Sequence, residues 1–200
     1  MASDSFNEES SRRLAHLVDY VSSNGELSKH IIGYHLENNE WFHYLYRENG
    51  QDFSNANNEK FARWLKVKYP TDGDLQIAWG NPCVKLSAAT VPNNLPGNIY
   101  DNSKLYKDIL FYGTKTQKYV DYHQYICDLT AVRISNLARI IKERTENRAI
   151  VISFYGYQFE LYSSLSGHHN LNWLLSDKNI DGFAGPISYR DRNGSSYAPN

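Results

Sequence analysis

The run Ala149-Ile150-Val151-Ile152-Ser153-Phe154-Tyr155 decides the fold of this 200-residue chain. A short, almost continuously apolar run of this kind is typical of a strand that is buried on both faces of a parallel sheet. Residues 171–175 predict a short helix, and residues 180–185 predict a further strand that ends at Pro186. The longest predicted helix leads directly into the run, and its apolar face is formed by Tyr119, Tyr122, Ile126, Leu129, Ile134, Leu137, Ile140 and Ile141.

The residues before this pattern add a helix, a strand and a helical insertion. Residues 30–36 predict the first strand, and a helix closed by Asn24-Gly25 precedes it. Ser54 is a predicted N-cap of a helix that must stop before Pro70. A second inserted helix begins at Thr71, which has capping-box spacing to Asp74, and it ends at Gly80. Residues 81–113 are rich in Pro, Asn and Gly and predict a long irregular excursion.

The order of these elements indicates an α/β fold. Strands that alternate with helices imply parallel, right-handed crossovers. We therefore expect a partial TIM (β/α)8-type barrel of parallel strands, with a helical insertion after the first visible strand, folded as a single domain over residues 1–200. An open doubly wound sheet is the alternative that this pattern leaves open. Its nucleotide-binding version is weakened because no Gly-rich phosphate loop follows a predicted strand.

Composition and charge exclude several classes of partner. Apolar residues make up 41% of the chain and charged residues 22%, which is typical of globular proteins. The net charge is -1 and no basic block is present, so we expect neither a nucleic-acid nor a membrane partner. The polar N-terminal residues do not resemble a signal peptide, and Cys83 and Cys127 have no metal-type spacing. We expect a cytoplasmic protein with reduced, buried thiols.

The aromatic content is high. Sixteen Tyr, eight Phe and four Trp make up 14% of the residues. Aromatic rings supply large buried area, and they also stack on the apolar faces of sugar rings. Core packing explains most of them, and a carbohydrate cleft is the second explanation.

The predicted strand ends are the natural place for a functional site, because active sites of parallel barrels lie at the carboxyl ends of the strands. A carboxylic acid next to an indole, as in Glu40-Trp41, can have its pKa raised for general-acid chemistry, and the preceding Asn39 can bind a sugar hydroxyl. A solvated polar turn is the plainer interpretation of this dipeptide. The three ends carry, in chain order, His35, Glu37, Asn38, Asn39, Glu40 and Trp41; then Tyr155, Tyr157 and Glu160; then Pro186, Tyr189 and Arg190.

A series of segments in the same order resembles the family 42 β-galactosidase-type glycoside hydrolases and their uncharacterised barrel relatives. The likeness begins with Ile32-Gly33-Tyr34-His35-Leu36 and Glu40-Trp41-Phe42-His43-Tyr44, in the region of the fourth barrel strand. It covers nearly the whole chain through segments that start at Asp52, Phe61, Leu75, Asp121, Phe154, Gly167 and Ile180.

The resemblance implies a retaining glycosidase fold whose acid/base glutamate follows an asparagine at the fourth strand. Asn39 and Glu40 match that pair, and Glu37 is the fallback. It further implies hydrolysis of O-glycosidic bonds of the β-galactoside type, without a cofactor. Tyr157, Tyr189 and Trp41 would line a sugar subsite, and Arg190 would bind a hydroxyl or carboxylate; each has an ordinary surface role as its alternative. His35 and Asn39 are further candidate substrate-binding residues.

The second carboxylate of the mechanism is the weak point of this prediction. Retention needs two carboxyl groups roughly 5 Å apart. By the resemblance the chain supplies approximately strands four to six, so the seventh-strand nucleophile would be missing, and Glu160 is the remaining candidate near Glu40. We expect a fragment of a longer hydrolase, with weak or no activity alone. Its uncovered barrel edges would also allow homo-oligomers.

Other kinds of function remain as alternatives. A non-catalytic carbohydrate-binding or interaction module derived from a hydrolase barrel would keep the aromatic cleft without the carboxylate pair. A metal site is not predicted, because the spacing of the histidines, among them His30, His35 and His43, matches no familiar zinc pattern. A serine nucleophile is not predicted either, because no Gly-x-Ser-x-Gly elbow is present.

Overall fold

A computed structural model describes residues 2–36, 52–93, 113–155 and 167–185 of the chain. The chain divides into two compact units: the first comprises Ser3–His43 and Cys127–Asn200, and the second is built from Tyr44–Ile126. The described elements are, in chain order, α1 (Asp4–Ser23), α2 (Leu27–His30), β1 (Gly33–Leu36), α3 (Asn55–Lys68), α4 (Asp72–Trp79), α5 (Thr114–Arg144), β2 (Ile150–Phe154), α6 (Leu171–Leu175) and β3 (Gly182–Ala184).

The three strands form one parallel sheet in the order β1-β2-β3, as the alternation of strands and helices predicts. Tyr34 lies beside Val151, and Ser153 lies beside Phe183. The first strand is shorter than predicted, because the Ile31 N–H donates to the Leu27 carbonyl at 3.2 Å and keeps this segment in a helical turn. The sheet and its helices have the architecture of a partial TIM (β/α)8-type barrel.

The core of the first unit lies on one face of the sheet. Alternate strand residues point to opposite faces, so one set of side chains meets the helices. The buried cluster consists of Val18, Leu36, Ala131, Ile134, Ala138, Ile141, Ala149, Val151, Tyr155 and Leu174. On α5 the small residues Ala131 and Ala138 lie in this cluster, whereas the larger Leu137 is only partly buried. Ile134 and Ile141 of the predicted apolar face of α5 are fully buried and Leu137 packs against the cluster, so the structure confirms that face and adds the two alanines to it.

The opposite face of the sheet corrects another prediction. Ile150 is 45% exposed and Ile152 is 36% exposed, although Val151 between them is fully buried. The prediction that this strand is buried on both faces is wrong for the described structure. Its physical reason is the strand count: a barrel interior is filled by side chains from alternate strands around a closed ring of about eight, and the described sheet has three strands.

The two inserted helices of the second unit begin and end as the sequence predicts. The Ser54 hydroxyl accepts a hydrogen bond from the Asn57 N–H at 3.3 Å. Thr71 and Asp74 form the reciprocal capping box. Gly80 closes α4 with a φ of 58°, and a Cβ there would lie 2.7 Å from Thr114 Oγ1, so both conformation and space require glycine.

A buried carboxylate organises the second unit. Asp121 has a side chain that is 0% exposed. Its Oδ1 accepts from Lys68 Nζ at 2.8 Å and from Gln117 Nε2 at 2.8 Å. Its Oδ2 accepts from the Tyr69 hydroxyl at 2.9 Å and from Trp79 Nε1 at 2.7 Å. Both oxygens are thus satisfied, and this carboxylate links α3 and α4 to α5 rather than facing a ligand.

A second charged contact joins the amino-terminal ends of two strands in the first unit. Lys142 Nζ is buried, and it donates to Asp181 Oδ2 at 2.6 Å and to the Ala149 carbonyl at 2.9 Å. The same carboxylate oxygen accepts from the Val151 N–H at 2.7 Å. Residues at this end of a parallel barrel stabilise the fold, because active sites lie at the other end.

This contact predicts an acid-dependent loss of stability. Hydrogen bonds from Lys142 and from the Val151 backbone lower the pKa of Asp181 below its usual 3.8. The stabilisation is therefore complete above about pH 3.8 and is lost as the pH falls through the lower folded-state pKa. Urea midpoints measured against pH should show this loss in the wild type. The Asp181→Asn variant should lack the part of the acid-dependent loss that comes from Asp181. An identical acid dependence in both proteins would contradict the assignment.

Both cysteines are free, and they differ in burial. Cys127 is buried and Cys83 is exposed. The prediction that both thiols are buried is wrong for Cys83. This residue follows α4 in a turn where its N–H donates to Asn81 Oδ1 at 3.0 Å. No helix in the described ranges has the length and apolar composition needed to cross a membrane.

Candidate functional site

The carboxyl ends of the three strands lie next to one another at the same end of the sheet. Leu36 lies beside Ser153, and Phe154 lies beside Ala184. Because the strands are parallel, the segments that follow them leave the sheet on the same side. This end of the sheet is where the sequence predicts the site, so the structure brings together the three strand ends that carry the candidate residues.

His35 is the predicted substrate-binding residue that the structure describes. It is exposed and lies beside Ile152 on the face of the sheet that points away from the helices. Side chains on that face point to the interior in a complete barrel. The position is near the carboxyl end of β1, which ends at Leu36.

The other predicted site residues lie outside the described residues. They follow β1, β2 and β3 in sequence, and their roles stay predictions: Glu37, Asn39, Glu40, Trp41, Tyr157, Glu160, Tyr189 and Arg190. What the structure establishes for them is the position of the strand ends to which their segments connect.

Tyr155, directly after β2, ties this strand end to the next helix. Its N–H donates to the Ala184 carbonyl at 2.8 Å, which continues the pairing with β3. Its hydroxyl donates to the Gly167 carbonyl at 3.1 Å and accepts from the Asn170 N–H at 2.6 Å. The Asn170 side chain donates to Asp128 Oδ1 at 2.8 Å. One buried phenol therefore fixes residues 167–170 against the end of β2.

His168 packs against the ring of this tyrosine. The two ring centroids lie 4.8 Å apart with planes 21° apart, and Phe154 meets the imidazole edge-on at 6.0 Å. His168 is fully buried. Burial, together with the neighbouring His169, lowers the pKa of His168 to about 4. Burial also raises the pKa of the Tyr155 hydroxyl well above its usual range. Both groups are therefore neutral at physiological pH.

Neutral burial of His168 predicts a second pH effect. The folded protein binds this proton with a pKa of about 4, whereas an unfolded histidine has a pKa near 6.5, so protons favour the unfolded state as the pH falls between these values. We expect a loss of roughly 3 kcal/mol of unfolding free energy across that window, at about 1.4 kcal/mol per pKa unit.

The measurement is the urea unfolding free energy of wild type and His168→Phe between pH 7 and pH 4, roughly the window of histidine titration. Phenylalanine keeps an aromatic ring next to Tyr155 and has no proton to bind. Leu175→Ala, at an exposed position of α6, is the control. Its unfolding free energy should change with pH as that of the wild type does. A variant slope equal to that of the wild type would show that His168 does not carry the effect.

The sequence reasoning missed Asp128 and Asn170 in this arrangement. Their signal is weak, since Asp128 is one polar residue of a long helix and Asn170 is one possible N-cap of α6. Cys127 next to them accepts a hydrogen bond from the His169 backbone, while burial raises the pKa of the thiol to about 12. A thiol that stays protonated is a poor nucleophile.

The fold and the site define a class of protein: a parallel β/α sheet of the partial-barrel type, whose candidate site residues follow the carboxyl ends of its strands. Residues 5–186 match glycoside hydrolase family 42, described as β-galactosidase. The match covers most of the chain, and the chain therefore belongs to that family. A search of curated proteins gives no match.

A solved structure has the same fold. It is a β-galactosidase from Bacillus circulans sp. alkalophilus, with a TM-score of 0.62 and 16% sequence identity. The similarity covers 97% of this chain and 25% of the solved chain. The chain thus spans about a quarter of the length of the protein whose fold it shares.

Proposed function

We propose that this chain is a glycoside hydrolase-like protein that acts on O-glycosidic bonds of the β-galactoside type. The observation that supports the proposal most is that the carboxyl ends of three parallel strands lie side by side at one end of the sheet. The chain that forms this sheet belongs to family 42. The substrate class comes from the family. The place of the reaction comes from the sheet, because parallel barrels bind substrates at this end.

The proposed reaction follows the retaining two-carboxylate mechanism. Glu40 protonates the glycosidic oxygen as a second carboxylate attacks the anomeric carbon, and the bond to the leaving alcohol breaks. Glu40, now a carboxylate, takes a proton from water, and the water oxygen displaces the enzyme carboxylate. Asn39, His35, Trp41, Tyr157, Tyr189 and Arg190 are the proposed sugar contacts.

The second carboxylate defines how complete the site is. Glu160, which follows β2, is the proposed second carboxylate within this chain. We further propose that the 200 residues act as one domain, a cytoplasmic segment supplying approximately strands four to six of a barrel, and that the site is incomplete without further strands. The described three-stranded sheet and the coverage of a quarter of the solved chain support this.

The experiment that tests the proposal measures hydrolysis and binding of the same sugar. Release of the aryl group from an aryl β-galactoside, above the rate in buffer, is expected if the carboxylate pair is present. Saturable binding of methyl β-galactoside without hydrolysis would instead indicate a non-catalytic carbohydrate-binding module. If the chain shows no hydrolysis and no binding at any β-galactoside concentration, both the hydrolase and the binding-module proposals are contradicted.

The partner of the proposed activity is a carbohydrate. We also propose that the chain forms homo-oligomers, because edge strands of an incomplete barrel present unpaired backbone groups to other chains. The outer edges of β1 and β3 are the candidates, since both pair with β2 through their other edges.

A further inference from the structure

Three side chains that can bind a metal ion lie together on α5 and in the segment before α6. They are His123, Cys127 and His169, and the imidazole nitrogens and the sulfur that they offer all lie within 4.8 Å of one another. Such atoms are roughly 3.3–3.6 Å apart around a tetrahedral zinc ion with its usual bond lengths. A closing movement of about 1 Å would therefore bring the three side chains to the distances that zinc requires.

Two of the three side chains come from one face of α5. His123 and Cys127 are four residues apart in this continuous helix. Residues at positions i and i+4 of a helix are neighbours on its surface. The same spacing places two zinc ligands on one helix face in the His-Glu-x-x-His motif. The separation of this pair is therefore set by the helix alone.

The third side chain is held beside Cys127 by contacts of the residues around it. The backbone of His169 donates a hydrogen bond to the Cys127 thiol. The next residue, Asn170, is fixed through its N–H, which donates to the Tyr155 hydroxyl at 2.6 Å, and through its side chain, which donates to Asp128 Oδ1 at 2.8 Å. The imidazole of His169 is exposed, so an ion can reach the cluster from solvent.

The ligand chemistry of the cluster favours zinc. Imidazole and thiolate ligands suit Zn²⁺, whereas Mg²⁺ and Ca²⁺ prefer oxygen ligands. Burial raises the pKa of the Cys127 thiol to about 12, so the ion must displace its proton, as metal ions do when they bind a thiol. Three protein ligands leave the fourth tetrahedral position for water or a small ligand.

We propose that this chain binds one Zn²⁺ ion through His123, Cys127 and His169, with a water molecule at the fourth position. The bound ion links α5 to the segment before α6. Sequence spacing does not reveal this site, because His169 is far from the other two ligands in the chain and the fold brings it to them. The site goes beyond the proposed hydrolase function and does not depend on it, since its tests measure metal content and cobalt absorption.

The first test is the zinc content of the purified full chain after equilibrium dialysis against Zn²⁺ in reducing buffer. The wild type should bind one equivalent. Cys127→Ser and His169→Gln should each weaken binding by more than the roughly 10–100-fold that loss of an outer-shell partner costs. Cys83→Ser and His30→Gln replace an exposed cysteine and an exposed histidine elsewhere, and these matched controls should bind zinc as the wild type does.

A second measurement identifies the ligands directly and keeps the test valid if Cys127→Ser folds poorly. Co²⁺ in place of zinc should give the visible absorption of a tetrahedral ion and a thiolate-to-cobalt charge-transfer band, in the wild type and in Cys83→Ser. His169→Gln changes an exposed side chain, so it should fold as the wild type does and lose the tetrahedral absorption. A wild type that does not bind one equivalent, loss of binding in Cys83→Ser, or a cobalt spectrum without the thiolate band would overturn the proposal.

Discussion

Replacing Asp121 with asparagine should lower the free energy of unfolding by roughly 2–4 kcal/mol, because several side-chain donors lose a charged acceptor in the protein interior. The fully buried carboxylate accepts from Lys68, Gln117, Tyr69 and Trp79. An amide keeps the shape but supplies one acceptor oxygen, and its NH2 group faces side chains that donate. The loss should therefore be much larger than that of one hydrogen bond, which is about 1 kcal/mol.

A matched control separates this effect from the removal of any aspartate. Asp19 on α1 pairs with Arg144, with side chains that are 50% and 42% exposed. Exposed ion pairs contribute about 0–1 kcal/mol, so Asp19→Asn should change the urea midpoint little. Both variants are compared with the wild type by urea unfolding at neutral pH. The dependence of the unfolding free energy on urea concentration is compared as well, because a change in it would indicate altered cooperativity. A loss below about 1 kcal/mol in Asp121→Asn would contradict the central role of this carboxylate.

Replacing Glu40 with glutamine should reduce kcat/KM for an aryl β-galactoside with a poor leaving group by about 10²–10⁴, the usual contribution of general acid–base catalysis. Glutamine fills the same space but has no acidic proton for the leaving oxygen. The reduction should shrink when the leaving group is a strongly acidic phenol, because that phenolate departs without protonation. This dependence on the leaving group distinguishes a lost acid from a lost binding contact.

Two other glutamates serve as comparisons for Glu40. Glu37→Gln should leave kcat/KM near the wild-type value. If the acid is Glu37 instead, this variant should show the large reduction of kcat/KM and Glu40→Gln should not. Glu160→Gln should abolish turnover with every leaving group if that residue attacks the anomeric carbon, since no covalent intermediate can then form. Equal rates for the wild type and Glu40→Gln, both above the rate in buffer, would refute the proposed acid.

Local signals in the sequence predicted the elements whose ends depend on nearby residues. The Ser54 cap, the Thr71–Asp74 capping box and the Gly80 terminus each involve contacts within a few residues, and all three are confirmed. The run that ends in Tyr155 predicted β2 from its own apolar residues. These features need no knowledge of the rest of the chain.

Features that depend on distant residues could not be predicted in the same way. The partners of Asp121 on α3 and α4 lie 42 to 53 residues away in the chain, so its environment depends on the tertiary fold. The exposure of Ile150 and Ile152 depends on how many strands surround them, which the run itself does not encode. The hydrogen bonds of Tyr155 to Gly167 and Asn170 likewise join segments that the sequence places apart.

The shared position of the three strand ends was predictable from the sequence, whereas the site that we place there stays a prediction. Parallel strands have their carboxyl ends at the same end of the sheet, and the structure confirms that the strands are parallel. The roles of Asn39 and Glu40 rest on likeness to a family to which the chain belongs, and they stay predictions. The neutral pair of Tyr155 and His168 beside the end of β2 is the part of this region that only the structure revealed.

The most direct test of the account is a titration of the uniformly 15N-labelled chain with methyl β-galactoside, followed by amide chemical shifts. If the carboxyl ends of the strands form the sugar site, saturable shifts should concentrate at His35 and in the segments that follow Leu36, Phe154 and Ala184. Shifts that saturate instead on α3 and α4, or no shifts at any sugar concentration, would contradict it.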